Sequence, residues 1–316
     1  MYKRIVVPLD GSRLAEQILS AVKSIAAASQ AKVYLLGVVD NSAYSANGGR
    51  GHQEYLDIMC AQAVTAANEY LRKLAGQLKL APDRVHAEAK IGHVAQTIVE
   101  EAEKEPDTLI AMSTHGESGI ARLLLGSVAD KVLQTAKSPL LLFRPSEGVG
   151  ALGTSYLTNL IVPLDGSDWS EQVLPHAREM AKALGLRITF VLATPSTFEQ
   201  VVGFASMGEM YVPLDLLEDM DAWAEEYLAA QVAATKKAGL EAGCVHLKGD
   251  AGAQLVDYIK ATPNSMVAIA THGHSGIRRA ALGSVANKVV RQAGVPTLVI
   301  RPRQPPVPPT TKAPTW

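Results

Sequence analysis

KRIVVPLDGSRLAEQIL (Lys3–Leu19) and TNLIVPLDGSDWSEQVL (Thr158–Leu174) are two versions of one segment, and reading each as strand, turn and helix decides the fold. STHGESGIARLLLGSVADKV (Ser113–Val132) recurs as ATHGHSGIRRAALGSVANKV (Ala270–Val289), and SPLLLFRP (Ser138–Pro145) recurs as VPTLVIRP (Val295–Pro302). The offset is 155 at the first pair and 157 at the other two, so two residues of net insertion lie between Asp165 and His272. A period this long marks a duplicated domain rather than a solenoid unit. The Gly-rich stretch at Ser146–Ser155 reads as the linker. The expected organisation is one domain over 1–146, a second over 156–303, and a Pro-rich disordered tail over 304–316.

The 316 residues suit two domains, each large enough to bury a core. Hydrophobic residues make up 47% and charged residues 19%, a globular balance. A formal net charge of −1 gives no electrostatic reason to expect nucleic acid or an anionic membrane as partner. Cys60 and Cys244 are too few and too far apart for a disulfide framework or a Cys-rich metal site, and both read as small packing residues. The opening MYKRIVVPLDGS shows no cleavable apolar region, and no uncharged apolar run reaches the roughly 18 residues of a membrane span. A cytoplasmic location is the expectation.

Within each repeat, short apolar runs alternate with helix-period segments. In the first, strands are expected at Arg4–Pro8, Lys32–Val39, Val85–Lys90, Thr108–Ser113 and Pro139–Phe143. Helices are expected at Ser12–Ala28, Glu54–Leu78, Val94–Glu103 and Ser127–Thr135. The second repeat follows suit, with long helices at Ser170–Leu184 and Leu216–Ala238. Continuous runs such as IVV, LIAM, LLLF and LVI mark strands buried on both faces. With right-handed crossovers the result is an α/β chain of two doubly wound, five-stranded parallel-sheet domains, Rossmann-like in type.

Such sheets bind ligands outside the carboxyl ends of the strands, where strand order reverses. After strand 4 stand Thr114-His115-Gly116 and Thr271-His272-Gly273, and nine residues later Gly126-Ser127 and Gly283-Ser284. Gly116 and Gly273 suit a sharp turn off the strand. Ser127 and Ser284 are expected N-caps, with Asp130 and Asn287 three residues on in an approximate capping arrangement. Open amides at such a helix start can hold a phosphate, although a Gly–Ser pair can equally do no more than cap. Strand 1 ends in Pro8-Leu9-Asp10 and Pro163-Leu164-Asp165. The carboxylate there can accept from ribose or an adenine amino group, or cap the next helix with Ser12 or Ser167. Strand 2 ends near Val38 and Ala193, where backbone groups can read an adenine edge.

These motifs resemble the universal stress protein family in its tandem-domain, nucleotide-binding form, over residues 1 to 302. That branch carries Gly-x2-Gly-x9-Gly-(Ser/Thr), and both repeats keep the last three elements while Ser113 and Ala270 replace the first glycine. The resemblance implies that Pro8, Leu9, Asp10, Val38 and Met112 in the first domain contact the adenosine. Pro163, Leu164, Asp165, Ala193 and Ile269 would do so in the second. It assigns the phosphates to Gly116, Gly126, Ser127, Val128 and Ala129, and to Gly273, Gly283, Ser284, Val285 and Ala286. The implied cofactor is ATP, or ADP or AMP in its place, with Mg2+ carried by the phosphates and no protein metal site. The implied role is a nucleotide-responsive stress regulatory or protective module with an unidentified protein partner. At most it would hydrolyse ATP slowly and incidentally.

Walker A is absent, which excludes a P-loop motor or kinase. An adenylating enzyme is the less favoured alternative, since no HIGH-like, KMSKS-like or SGGxDS-like signature appears. A scaffold whose crevices have lost the nucleotide is the other, supported by Ser113 and Ala270. His115 and His272 read as pocket-lining rather than catalytic, and Arg122, Arg278 and Arg279 lie within reach of phosphates or of surface partners. The loops Asn41–His52 and Pro195–Asp215 differ in length and polarity, so the two crevices should differ in closure or affinity. The family's last strand commonly pairs with its counterpart. Pro139–Phe143 and Thr297–Ile300 would make that pair within the chain, and dimerisation of the whole chain is a further hypothesis.

Overall fold

The apolar runs become strands because β-branched and leucine side chains fill both faces of a covered sheet. Ile5, Val6 and Val7 of the first run and Leu160, Ile161 and Val162 of its repeat are wholly buried. The computed structural model describes residues 2–40, 50–114, 125–143, 157–196, 216–271 and 282–302. It divides into two compact units, Met1–Tyr156 and Leu157–Trp316.

The first unit runs β1 (Arg4–Pro8), α1 (Arg13–Glu16), α2 (Ile18–Ser29), β2 (Lys32–Val39), α3 (Arg50–Gln77), β3 (Val85–Ile91), α4 (Val94–Glu103), β4 (Thr108–Ser113), α5 (Ser127–Thr135) and β5 (Leu140–Phe143), with a 3-10 turn at Pro82–Arg84. All strands are parallel in the order β3-β2-β1-β4-β5. The second unit repeats this as β6 (Asn159–Pro163), α6 (Asp168–Glu171), α7 (Val173–Leu184), β7 (Arg187–Thr194), α8 (Leu216–Lys237), β8 (Ala242–Lys248), α9 (Ala251–Ala261), β9 (Ser265–Ala270), α10 (Ser284–Gln292) and β10 (Thr297–Ile300). Its order is β8-β7-β6-β9-β10, again parallel. In each unit the chain winds outward from the first strand, returns, and winds the other way, so the switch point lies between strands 1 and 4.

Right-handed crossovers put α1, α2 and α3 on one face, and the reversal after β3 puts α4 and α5 on the other. Contacts between α3 and β2–β3, and of α4 with α5, agree with this.

Three local departures have physical causes. The helix expected from Ser12 splits at Gln17, whose N–H bonds back to Leu14 rather than four residues away. In the second copy the split falls at Gln172, and Pro175 three residues on has no N–H to offer the preceding turn. The helix expected from Glu54 already runs from Arg50, so Arg50, Gly51 and His52 are helical rather than loop. Cys244 is exposed on the edge strand β8 and is not a packing residue. Among the described residues no helix is long and apolar enough to cross a membrane.

Candidate functional site

Each crevice is assembled at the carboxyl ends of its first, second and fourth strands. After β1, Gly11 takes φ +88°, a left-handed turn that glycine alone adopts without strain. Ser12 N–H donates to Asp10 Oδ1 (3.0 Å) and Ala15 N–H donates to Ser12 Oγ (3.1 Å), which starts α1. The second copy repeats this at Gly166 (φ +80°), with Ser167 N–H and hydroxyl both donating to Asp165 Oδ1 at 3.0 and 2.6 Å. The serine caps the helix, and the aspartate orients the serine while staying at the crevice mouth. The capping role therefore occupies one carboxylate oxygen in each half.

The chain leaves β4 at Thr114 and returns at Gly126, whose N–H donates to the Thr114 carbonyl at 2.8 Å. Gly283 N–H donates to the Thr271 carbonyl at the same 2.8 Å. This bond pins the start of α5, and of α10, to the tip of the fourth strand. The N-cap is Gly126 or Gly283 and not the expected serine, with no side-chain cap. Ser127 and Ser284 are the first helical residues, and the helix begins one residue early because the Gly126 carbonyl already accepts from Asp130 N–H (2.8 Å). Asp130 accepts from Gln134 (2.9 Å) and Asn287 from Arg291 (2.8 Å), so both point forward along the helix instead of closing a capping box. Among the described residues, the amides of Ser127, Val128 and Ala129 meet no acceptor, and neither do those of Ser284, Val285 and Ala286. The helix dipole adds to their attraction for an anion.

Across the switch point, Leu9 N–H donates to Leu36 O and Gly92 N–H to Val39 O. Alternation then directs the N–H and C=O of Val38 towards β1, beyond its end, where no described group pairs with them. Leu164 to Val191 and Gly249 to Thr194 place Ala193 identically. Pro8 is half-buried and Pro163 buried, while Leu9, Leu164, Met112 and Ile269 are buried at the floor. Ser113, at the replaced glycine, donates its hydroxyl to the Leu14 carbonyl (3.1 Å) on the face opposite α5, and Ala270 is buried. Neither replacement projects towards the open amides. Gly116, Gly273, His115, His272, Arg122, Arg278 and Arg279 lie outside the described residues.

A tyrosine–glutamate pair borders each crevice and is not apparent from local motifs. Tyr70 on α3 donates to Glu16 on α1 (3.0 Å), and Tyr227 on α8 donates to Glu171 on α6 (3.0 Å). Burial pushes both hydroxyls above the usual tyrosine range, and the neighbouring glutamates push them further. The available signal was recurrence at the repeat's own offset, 227 against 70 and 171 against 16. Among the described residues no group of three or more His, Cys, Asp or Glu is placed to hold a metal.

A family model described as the universal stress protein family matches residues 1–144 and 157–301. A universal stress protein of Methanocaldococcus jannaschii is 34% identical over 144 residues, covering 46% of this chain and 83% of that one. One from Mycobacterium bovis is 26% identical over 239 residues, covering 72% of this chain and 75% of the other. The crystal structure of a universal stress protein from Archaeoglobus fulgidus superposes with a TM-score of 0.63 at 19% identity, covering 95% of this chain and 99% of that one, a likeness of fold.

Proposed function

The chain belongs to the universal stress protein family, with the family domain present twice, and from that premise we propose that it binds an adenine nucleotide in one or both crevices. The observation that carries this reading is the glycine-capped helix start tied at 2.8 Å to the tip of the fourth strand, identical in both halves. Its amides suit a di- or triphosphate, with the divalent cation carried by the phosphates. Val38 or Ala193 offers a donor and an acceptor side by side, the pattern an adenine edge requires. Asp10 or Asp165 stands between them, where ribose hydroxyls would lie.

The output of binding is regulatory or protective rather than catalytic. Asp10 and Asp165 each commit Oδ1 to the following turn, and the reading assigns no side chain as base against a γ-phosphate. A scaffold without nucleotide is the competing account, but Ser113 is tied to α1 and leaves the helix start open.

The test is titration calorimetry of the full chain with Mg-ATP, ADP, AMP and adenosine, beside mass spectrometry of the gently purified protein. Saturable ATP binding, tighter than adenosine and weakened by Gly126→Val with Gly283→Val, is the expected result. Absence of heat with every ligand, and no co-purified nucleotide, would overturn the reading. A turnover assay well above the uncatalysed rate would move the assignment to an enzyme.

A further inference from the structure

The wall beside the second crevice carries a polar cluster that the first crevice lacks. Thr194 ends β7, is 3% exposed, and directly follows Ala193. Its hydroxyl donates to Asp221 Oδ1 on α8 at 2.7 Å and lies 2.7 Å from His246 Nε2 on β8. A hydroxyl has one proton, and here Asp221 receives it. The contact with the ring must then be N–H to oxygen, so Nε2 carries hydrogen and Nδ1 is the nitrogen turned away from Thr194.

Nδ1 faces Glu225 Oε1 of α8 at 3.9 Å, Nε2 lies 3.4 Å from Asp221 Oδ1, and Lys248 on β8 pairs with Asp221 at 2.5 Å. The helix α9 packs on the opposite face of these strands, and none of its described charged groups pairs with His246. Burial alone would raise the Asp221 carboxyl, but hydrogen bonds from Lys248 and Thr194 hold it below the usual range, so this partner stays anionic. At the positions matching Thr194, Asp221, His246, Lys248 and Glu225 the first half has Val39, Val64, Ala89, Ile91 and Asn68, none of them titratable.

We propose that the Thr194–Asp221–His246–Glu225 cluster makes ligand binding in the second crevice proton-linked. A neutral ring presents a lone pair to the Glu225 carboxylate 3.9 Å away, whereas an imidazolium attracts that carboxylate as an ion pair while Nε2–H keeps its contact with Thr194. The Asp221 bonds to Thr194 and Lys248 already tie α8 to both strands, and the charged ring adds to them and steadies the β7 tip, where the Ala193 backbone faces the adenine position. Acid tightens the second site and leaves the first unlinked. This rests on the nucleotide reading above.

By linkage, a ligand favoured by protonation takes up protons when it binds. The experiment is calorimetry of the full chain with Mg-ATP at about pH 8 and about pH 6, each in two buffers of different ionisation enthalpy, for the natural protein and His246→Gln. The ligand's own titration cancels in the comparison. The expected result is about fivefold more acid tightening in the natural protein than in the variant, with the extra proton uptake lost on substitution. If His246→Gln does not fold, Asp221→Asn is expected to shrink both effects. Binding with the same pH response and uptake in natural and variant chains overturns this inference alone. No ATP heat at either pH overturns the nucleotide reading and this inference with it.

Discussion

Two glycines at the same crevice illustrate opposite reasons for lacking a side chain. Gly11 holds φ +88° with nothing within 4 Å of where a Cβ would stand, so its role is conformational. Gly11→Ala should cost about 1–2 kcal/mol, read as a lower urea midpoint with unchanged slope. Gly126 sits at φ −58° and ψ 150°, which any residue adopts. Gly126→Ala should therefore leave stability unchanged or raise it by up to about 1 kcal/mol, while the proposed function adds that nucleotide binding in that half weakens, since a methyl group would stand where a phosphate is proposed to approach. A fall in stability with affinity intact would show that this glycine serves the fold instead. Sequence distinguishes these two poorly: GS follows a strand or loop at both places, and only the backbone angles reveal which serine caps a helix. Ser12 and Ser167 do, whereas Ser127 and Ser284 do not.

Elements are positioned by a few long-range polar bonds laid over an apolar pattern. Strands and helices were legible because runs such as LIAM and LLLF are buried on both faces, and the observed spans follow them closely. What was not legible are bonds between residues distant in sequence: Tyr227 reaches Glu171 over 56 positions, His246 meets Thr194 over 52, and Arg4 meets Glu101 over 97. No local window holds both partners. The Tyr–Glu pairs fasten the long helix to the first short helix across the crevice flank. Tyr227→Phe keeps the packing and removes a hydrogen bond to a carboxylate, so it should cost about 1.5–3 kcal/mol by chemical denaturation. The folded hydroxyl titrates above its unfolded range, so this contribution is complete below the unfolded tyrosine pKa of about 10 and fades as pH rises through the higher folded value. An alkaline melting series should show natural protein and Y227F converging.

At the scale of the whole molecule the two copies differ in the charge they bury. In the first unit Glu101, 3% exposed, accepts from Arg4 at 2.5 Å, from Lys104 at 2.7 Å and from Lys90, while Arg4 also lies 4.7 Å over the Tyr34 ring. The second unit has Asn159, Thr189, Leu247, Tyr258 and Ala261 at the matching positions, with Thr189 donating to Asn159 at 2.9 Å. Burial alone would raise the Glu101 carboxyl, but hydrogen bonds from Lys104, Lys90 and Arg4 bring it to about 2. A depressed folded pKa contributes stability that is complete above the unfolded value of about 4.3 and is lost as pH falls through the folded one. Protonation then leaves three cations around a neutral acid, one of them buried. The first unit should therefore lose stability between about pH 4.3 and about 2 more steeply than the second. All three tryptophans, Trp169, Trp223 and Trp316, belong to the second unit, so their emission reports that half while far-ultraviolet circular dichroism reports both. An acid titration should show dichroism falling before tryptophan emission shifts. Glu101→Gln, which breaks the buried network at any pH, should cost the first unit about 3–5 kcal/mol and bring its loss of dichroism towards neutral pH with the tryptophan transition unmoved. Coincident transitions in the natural protein would show that the buried carboxylate does not set the acid limit of its half.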